Sequence, residues 1–202
     1  VKALKEETGL PLHFHTHDTS GISAASVLAA VEAGADAVDA AIDSMSGLTS
    51  QPNLGSIVEA LKNTERDTGL DTDAIRDLST YWEHVRSLYA SFEADFRSGA
   101  SDVYTHEIPG GQYTNLRQQA RSMGIDRRWP EITDTYAKVN EMFGDVIKVT
   151  PTSKVVGDMT LLMTTSDISP EDVLDPEKEI AFPESVIQFF RGELGQPYGG
   201  FP

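Results

Sequence analysis

A chain of 202 residues, 39% hydrophobic and 24% charged, is long enough for one large domain or two small ones with a real core. Its formal charge of -16 weighs against nucleic acid or an anionic membrane surface as partner, because both recruit basic patches. The absence of cysteine excludes disulfides and thiolate metal sites and fits a reducing cytoplasm, and no apolar run approaches the ~18 residues of a membrane span.

"VKALKEET" predicts a short amphipathic helix stopped at Gly9. It reads as the end of a helix already under way, so the chain is expected to be a piece of a longer polypeptide, with any targeting signal upstream. "LPLHFHT" predicts a strand with Leu10, Leu12, Phe14 and Thr16 on one face and His13, His15 and His17 on the other. "DTSGISAASVLAAVEAGA" opens with an N-cap cluster and predicts an Ala-rich helix ending at Gly34. "DAVDAAIDS" predicts a second strand, "MSGLTSQPN" a loop and "LGSIVEALKN" a helix. Strand, helix, strand, helix with short connections is the order of parallel α/β winding.

After the polar stretch "TERDTGLDTD" the pattern turns helical: "AIRDLSTYWEHVRSLYASFEADF", "QYTNLRQQARSMG", "RRWPEITDTYAKVNEMFG", "SKVVGDMTLLMTTS", "SPEDVLD" and "PESVIQFFRGEL". Only "DVIKVT" looks strand-like in this part. A boundary is therefore expected near residue 66, with βα units over 1–66 and a helical region over 67–202.

Residues two apart on a strand face lie ~6.6 Å apart, so two imidazoles there can converge on one ion through bonds of ~2.1 Å. His15 and His17 close the strand, where parallel sheets and barrels gather functional groups, and His13 lies one layer deeper. The competing reading is partly buried histidines bonded to backbone. Two nitrogens do not complete a site, and oxygen ligands filling the rest would suit zinc or manganese better than copper. The loop from Asp43 to Asn53 offers donors on the metal's face, although alone it reads as an ordinary polar βα loop. In "EIPGGQYTNL" paired glycines let backbone approach a ligand or another chain, with tight packing as the equal alternative. In "KVTPTSK", Pro151 suits a first helical turn and makes Thr150 an expected N-cap.

Four stretches together, "LPLHFHTHDTSG", "GADAVDAAIDSMSGLTSQPNLGSIVEAL", "SDVYTHEIPGGQYTNL" and "GDVIKVTPTSKVVGD", closely resemble the carboxyltransferase domain of pyruvate carboxylase over nearly the whole chain. The resemblance implies the C-terminal part of a TIM-type (β/α)8 barrel over 1–66, followed by a mostly helical funnel region. It implies zinc or manganese held by His15 and His17 together with an aspartate and a carbamylated lysine of earlier barrel strands absent from this chain. Carboxybiotin on a biotin carboxyl carrier domain would supply CO2 to pyruvate, forming oxaloacetate. Thr150 matches the threonine that relays a proton from the pyruvate methyl to biotin. Ser153, Lys154 and Gln112 match residues at the biotin pocket. The family is usually a homo-tetramer. A biotin-dependent oxaloacetate decarboxylase or transcarboxylase subunit is the nearest alternative. Lyases and synthases on related barrels also use His-x-His but lack the "KVTPTSK" segment. With part of the site elsewhere, the fragment alone is expected to be inactive.

Overall fold

Helix α1 (Lys2–Thr8) stops at Gly9, whose backbone turns left-handed and returns its N–H to the Lys5 carbonyl. The computed structural model describes residues 1–94 and 96–202, which fall into two compact units, Val1–Ser101 and Asp102–Pro202.

The first unit is α/β. Strands β1 (His13–Phe14) and β2 (Ala37–Val38) pair in parallel, with His13 opposite Ala37 and Phe14 opposite Val38. Helix α2 (Ser23–Glu32) makes the crossover that parallel strands require. Its buried positions Ser23, Val27, Ala30 and Val31 recur at helical spacing, and Val27 and Val31 pack on Ile57 and Leu61 of α3 (Leu54–Leu61). The α2 stop uses Gly34 at φ 96°: Gly34 N–H reaches Val31 O and Ala35 N–H reaches Ala30 O, the paired bonds of a Schellman turn.

Both strands are shorter than the expected Leu10–Thr16 and Asp36–Ser44. The ladder ends because the backbones turn to other partners. Asp18 N–H bonds Ser50 O at 2.7 Å, Ala41 N–H bonds Pro52 O at 2.9 Å, and Asp43–Met45 forms a single 3-10 turn. The compositional boundary near residue 66 falls inside this unit. Helix α4 (Thr72–Leu88) packs on α3 and on that 3-10 turn, through Arg76 to Glu59 at 2.8 Å and Arg86 to the Ser44 carbonyl at 2.6 Å. The helix expected to run to Phe96 stops at Leu88 and a 3-10 turn follows at Ala90–Phe92, while Asp95 lies outside the described residues.

The second unit is helical among its described elements: α5 (Val103–His106), α6 (Gly110–Ser122), α7 (Trp129–Met142), α8 (Thr152–Ser166), α9 (Pro170–Leu174) and α10 (Glu184–Phe190). Helix α8 is buried on nearly all sides, from Ser153 to Thr164, which makes it the axis on which α6, α7 and α10 pack. Tyr136, Phe143, Met159 and Phe189 fill the core around it. The strand-like run "DVIKVT" is not a strand. Ile147 and Val149 are 82% and 64% exposed, and their carbonyls accept from the Thr152 hydroxyl, each at 2.6 Å, instead of from a neighbouring strand. Among the described residues no helix is long and apolar enough to cross a membrane.

His106 is fully enclosed in this unit. Its Nδ1 accepts from Ile108 N–H at 3.0 Å and its ring stacks on Tyr113 at 5.5 Å. Burial pushes its pKa below the ordinary 6.5, partly countered by Asp102. The folded chain therefore binds this proton later than the unfolded chain as pH falls. Stability should be complete above about pH 6.5 and decline below it, down to the depressed folded value. Calorimetric melts from pH 7 to 5 should give a falling midpoint, and His106→Gln should flatten that slope. An equal slope in the variant would show that other groups carry it.

Candidate metal site and threonine segment

The register of β1 on β2 decides what surrounds the histidine run. After Phe14 and Val38 the next neighbours are His15 and Asp39, and Asp39 Oδ2 lies 2.6 Å from His15 Nδ1. The other Asp39 oxygen lies 2.7 Å from His13 Nε2. Hydrogen bonds from His15 and then His13 hold the Asp39 carboxyl below its ordinary pKa. His17 turns its own Nδ1 to the Thr49 carbonyl at 2.6 Å.

With each Nδ1 tied to an acceptor, each ring keeps its proton there and leaves a lone pair on Nε2. The two Nε2 atoms face each other at 3.2 Å, with the rings at 79°. Two lone pairs at that distance repel unless a cation is shared between them. Two metal–nitrogen bonds of ~2.1 Å at an ordinary coordination angle span ~3.2–3.4 Å, so the pair fits a divalent ion. Among the described residues no three His, Cys, Asp or Glu side chains are placed to hold a metal, so this chain offers two nitrogen ligands and no complete set.

Other polar groups nearby have structural work. The Asp18 carboxylate accepts from Ser23 N–H at 2.9 Å and caps α2. Asp43 accepts from Gly55 N–H at 2.7 Å in the first turn of α3, while Asn53 caps the same helix through Ser56 N–H. The donors expected to face a metal from residues 43–53 are largely engaged within that loop: the Ser46 hydroxyl donates to Asp43 O and the Asn53 amide to Ser46. The loop's contact with the histidine run is a backbone carbonyl, at Thr49.

In the second unit, Thr150 is exposed and is not the N-cap expected of it. Helix α8 begins at Thr152 with Pro151 at the cap and no side-chain cap bond, and the Thr150–Pro151 peptide is cis. The hydroxyl engaged here is two residues further on, at Thr152, where it bonds the Ile147 and Val149 carbonyls. Lys148 reaches back to Glu107 at 2.7 Å, so "KVTP" and "EIPGG" meet through an ion pair. The close approach expected at the paired glycines occurs elsewhere. A Cβ on Gly111 would meet open space, whereas a Cβ on Gly157 would collide with the Gln112 amide. Gln112 thus rests on the face of α8 that also carries Ser153, one turn earlier. Ser153 is buried there. Lys154, on the next face, is exposed and pairs with Asp158, which also accepts from Ser185 at 2.6 Å.

Sequence reasoning missed Asp39 and the Thr49 carbonyl. Asp39 stands in "DAVDAAIDS" with nothing local to single it out, and only the strand register brings it to His15.

Residues 1–81 match the family described as HMGL-like, and residues 103–202 match the Conserved carboxylase domain. The pyruvate carboxylase of Bacillus subtilis is 47% identical over all 202 residues, which are 18% of its length. The solved carboxyl transferase domain of Rhizobium etli pyruvate carboxylase is 62% identical, with a TM-score of 0.95 over the whole chain and 34% of that domain. The same domain solved with pyruvate and biocytin gives a TM-score of 0.96. This chain therefore spans about a fifth of the length of the curated relatives it matches. Two family matches run in order along two compact units, and a single solved domain superposes on both, so the chain belongs to the carboxyltransferase-domain family of pyruvate carboxylase.

Proposed function

We propose that this chain is part of the carboxyltransferase of a pyruvate carboxylase, the component that moves CO2 from carboxybiotin to pyruvate and yields oxaloacetate. Residues 1–66 would be the closing βα units of its TIM-type barrel and residues 67–202 the helical funnel region. The observation that carries this reading is the converging His15 and His17 Nε2 pair, 3.2 Å apart, in a chain 62% identical throughout to a pyruvate carboxylase carboxyl transferase domain. The Rhizobium etli domain has been solved with pyruvate and biocytin, which supports pyruvate and a biotinyl group as ligands here.

His15 and His17 would each give one Nε2 to zinc or manganese, the remaining ligands coming from the rest of the polypeptide. A divalent ion at that position supplies positive charge against the pyruvate oxygen that becomes negative when the methyl carbon loses its proton. Thr150 would take that proton on its hydroxyl oxygen while passing its own hydroxyl proton to the ureido nitrogen of biotin. A hydroxyl is too weak a base to hold a proton alone, so the two transfers must be concerted. Ser153, Lys154 and Gln112 would line the biotin side of the pocket. A biotin carboxyl carrier domain is the partner this requires, and the assembled enzyme would be a homo-tetramer.

The test is a coupled assay of oxaloacetate formation from pyruvate and bicarbonate, using the full-length enzyme that contains this sequence and the isolated 202-residue chain in parallel. The full-length enzyme should turn over and the isolated chain should not. Failure of the full-length enzyme to carboxylate pyruvate would defeat the reading. Robust transfer by the isolated chain would defeat the division of the site between this segment and the rest.

A further inference from the structure

We infer that Asp39 is a positioning residue for the cation site, a carboxylate held between His13 and His15 that fixes which nitrogen His15 presents to the ion. The inference rests on the ligand reading of His15 and His17 given above.

The backbone places this carboxylate. Asp39 N–H bonds the Phe14 carbonyl at 3.1 Å, so its side chain springs from β2 level with the residues flanking Phe14. Those residues are His13 and His15, two apart on one face of β1. Their rings stand far enough apart to admit a carboxylate, and each meets one oxygen, at 2.7 and 2.6 Å. An imidazole at a strand end can turn over and can carry its proton on either nitrogen. A carboxylate at Nδ1 removes both freedoms, leaving Nε2 deprotonated and facing His17.

His17 is held differently, by the neutral Thr49 carbonyl. Only the His15 arm therefore adds a negative charge behind the ligand, which strengthens the hydrogen bond and makes the imidazole a better donor to a cation. The arrangement also gives the third histidine of the run a task that metal ligation leaves open. His13 occupies Asp39 Oδ1 and keeps Oδ2 directed at His15.

The test uses the full-length enzyme, stripped of metal and then titrated with Zn2+ or Mn2+ against a chromophoric chelator. Asp39→Ala, Asp39→Asn and His13→Gln are compared with His15→Ala, and the thermal midpoint of each apo form is recorded. Asp39→Ala should lose roughly 10–100-fold in metal affinity. Asp39→Asn should recover part of that loss, because its amide oxygen still accepts from His15, and His13→Gln should fall between Asn and wild type. The apo midpoints should all match wild type. Wild-type affinity in Asp39→Ala, with the ion lost in His15→Ala, would overturn the inference and leave the ligand reading intact. A lowered apo midpoint in Asp39→Ala without rescue by Asn would overturn it in favour of a structural role. An ion retained by His15→Ala would remove the ligand reading itself, and the inference with it.

Discussion

Thr150→Ala in the full-length enzyme is expected to lower carboxyl transfer by roughly 10²–10⁴-fold, the usual contribution of a positioned proton-transfer group, while leaving the metal content unchanged. The geometry around the residue makes the experiment selective. Thr150 is exposed and caps nothing, because α8 starts at Thr152 and that hydroxyl, not the one at 150, binds the carbonyls of Ile147 and Val149. Removing the Thr150 hydroxyl should therefore cost little folding stability. Thr152→Val, which removes the donor from both carbonyls and leaves them to water, should cost about 0.5–1.5 kcal/mol and lower the melting midpoint. Thr150→Ser should recover much of the transfer. Retained turnover in Thr150→Ala, or lost metal, would remove the relay role. Lost turnover with an equally lowered melting midpoint would make Thr150 a structural residue after all.

His17→Ala should do the opposite, depleting the ion and taking turnover with it. A four-ligand zinc site is worth roughly 10–16 kcal/mol, so one ligand carries on the order of 3 kcal/mol, about a hundredfold in affinity. Elemental analysis after dialysis against a dilute chelator reads this directly. The fold of the first unit should survive, because its core of Val27, Val31, Ile57 and Leu61 packs against Phe14, on the alternate face of β1 from the histidines. A metal-to-protein ratio equal to wild type would exclude His17 as a ligand. The two variants thus separate the proposed roles: one should lose transfer with its ion in place, the other should lose both.

Local order was legible from the residues alone. The spacing of Val27, Ala30 and Val31 announces the buried stripe of α2, and Gly34 marks its end. Helices α6, α7, α8 and α9 lie within a residue or two of their hydrophobic patterns, whereas α10 stops at Phe190, four residues short of its pattern, and no pattern announces α5. At α8 the cap position falls on Pro151 instead of Thr150, with no side-chain cap bond. The histidines at 15 and 17 could be assigned to one side of one strand because a period of two needs no knowledge of the partner strand. The four long motifs then named the family before any contact was known.

Only the tertiary structure decided what holds those groups. Asp39 reaches His15 across 24 positions and Thr49 reaches His17 across 32, by strand register and by a returning loop. The strands shrink to two residues where their backbones leave for Ser50 and Pro52. Gln112 settles on Gly157 because two helices cross there. Periodicity and caps are interactions over a few residues, and short segments carry them whole. Register, loop return and helix crossing depend on which distant backbones come together, and that is set by burying all the apolar faces at once.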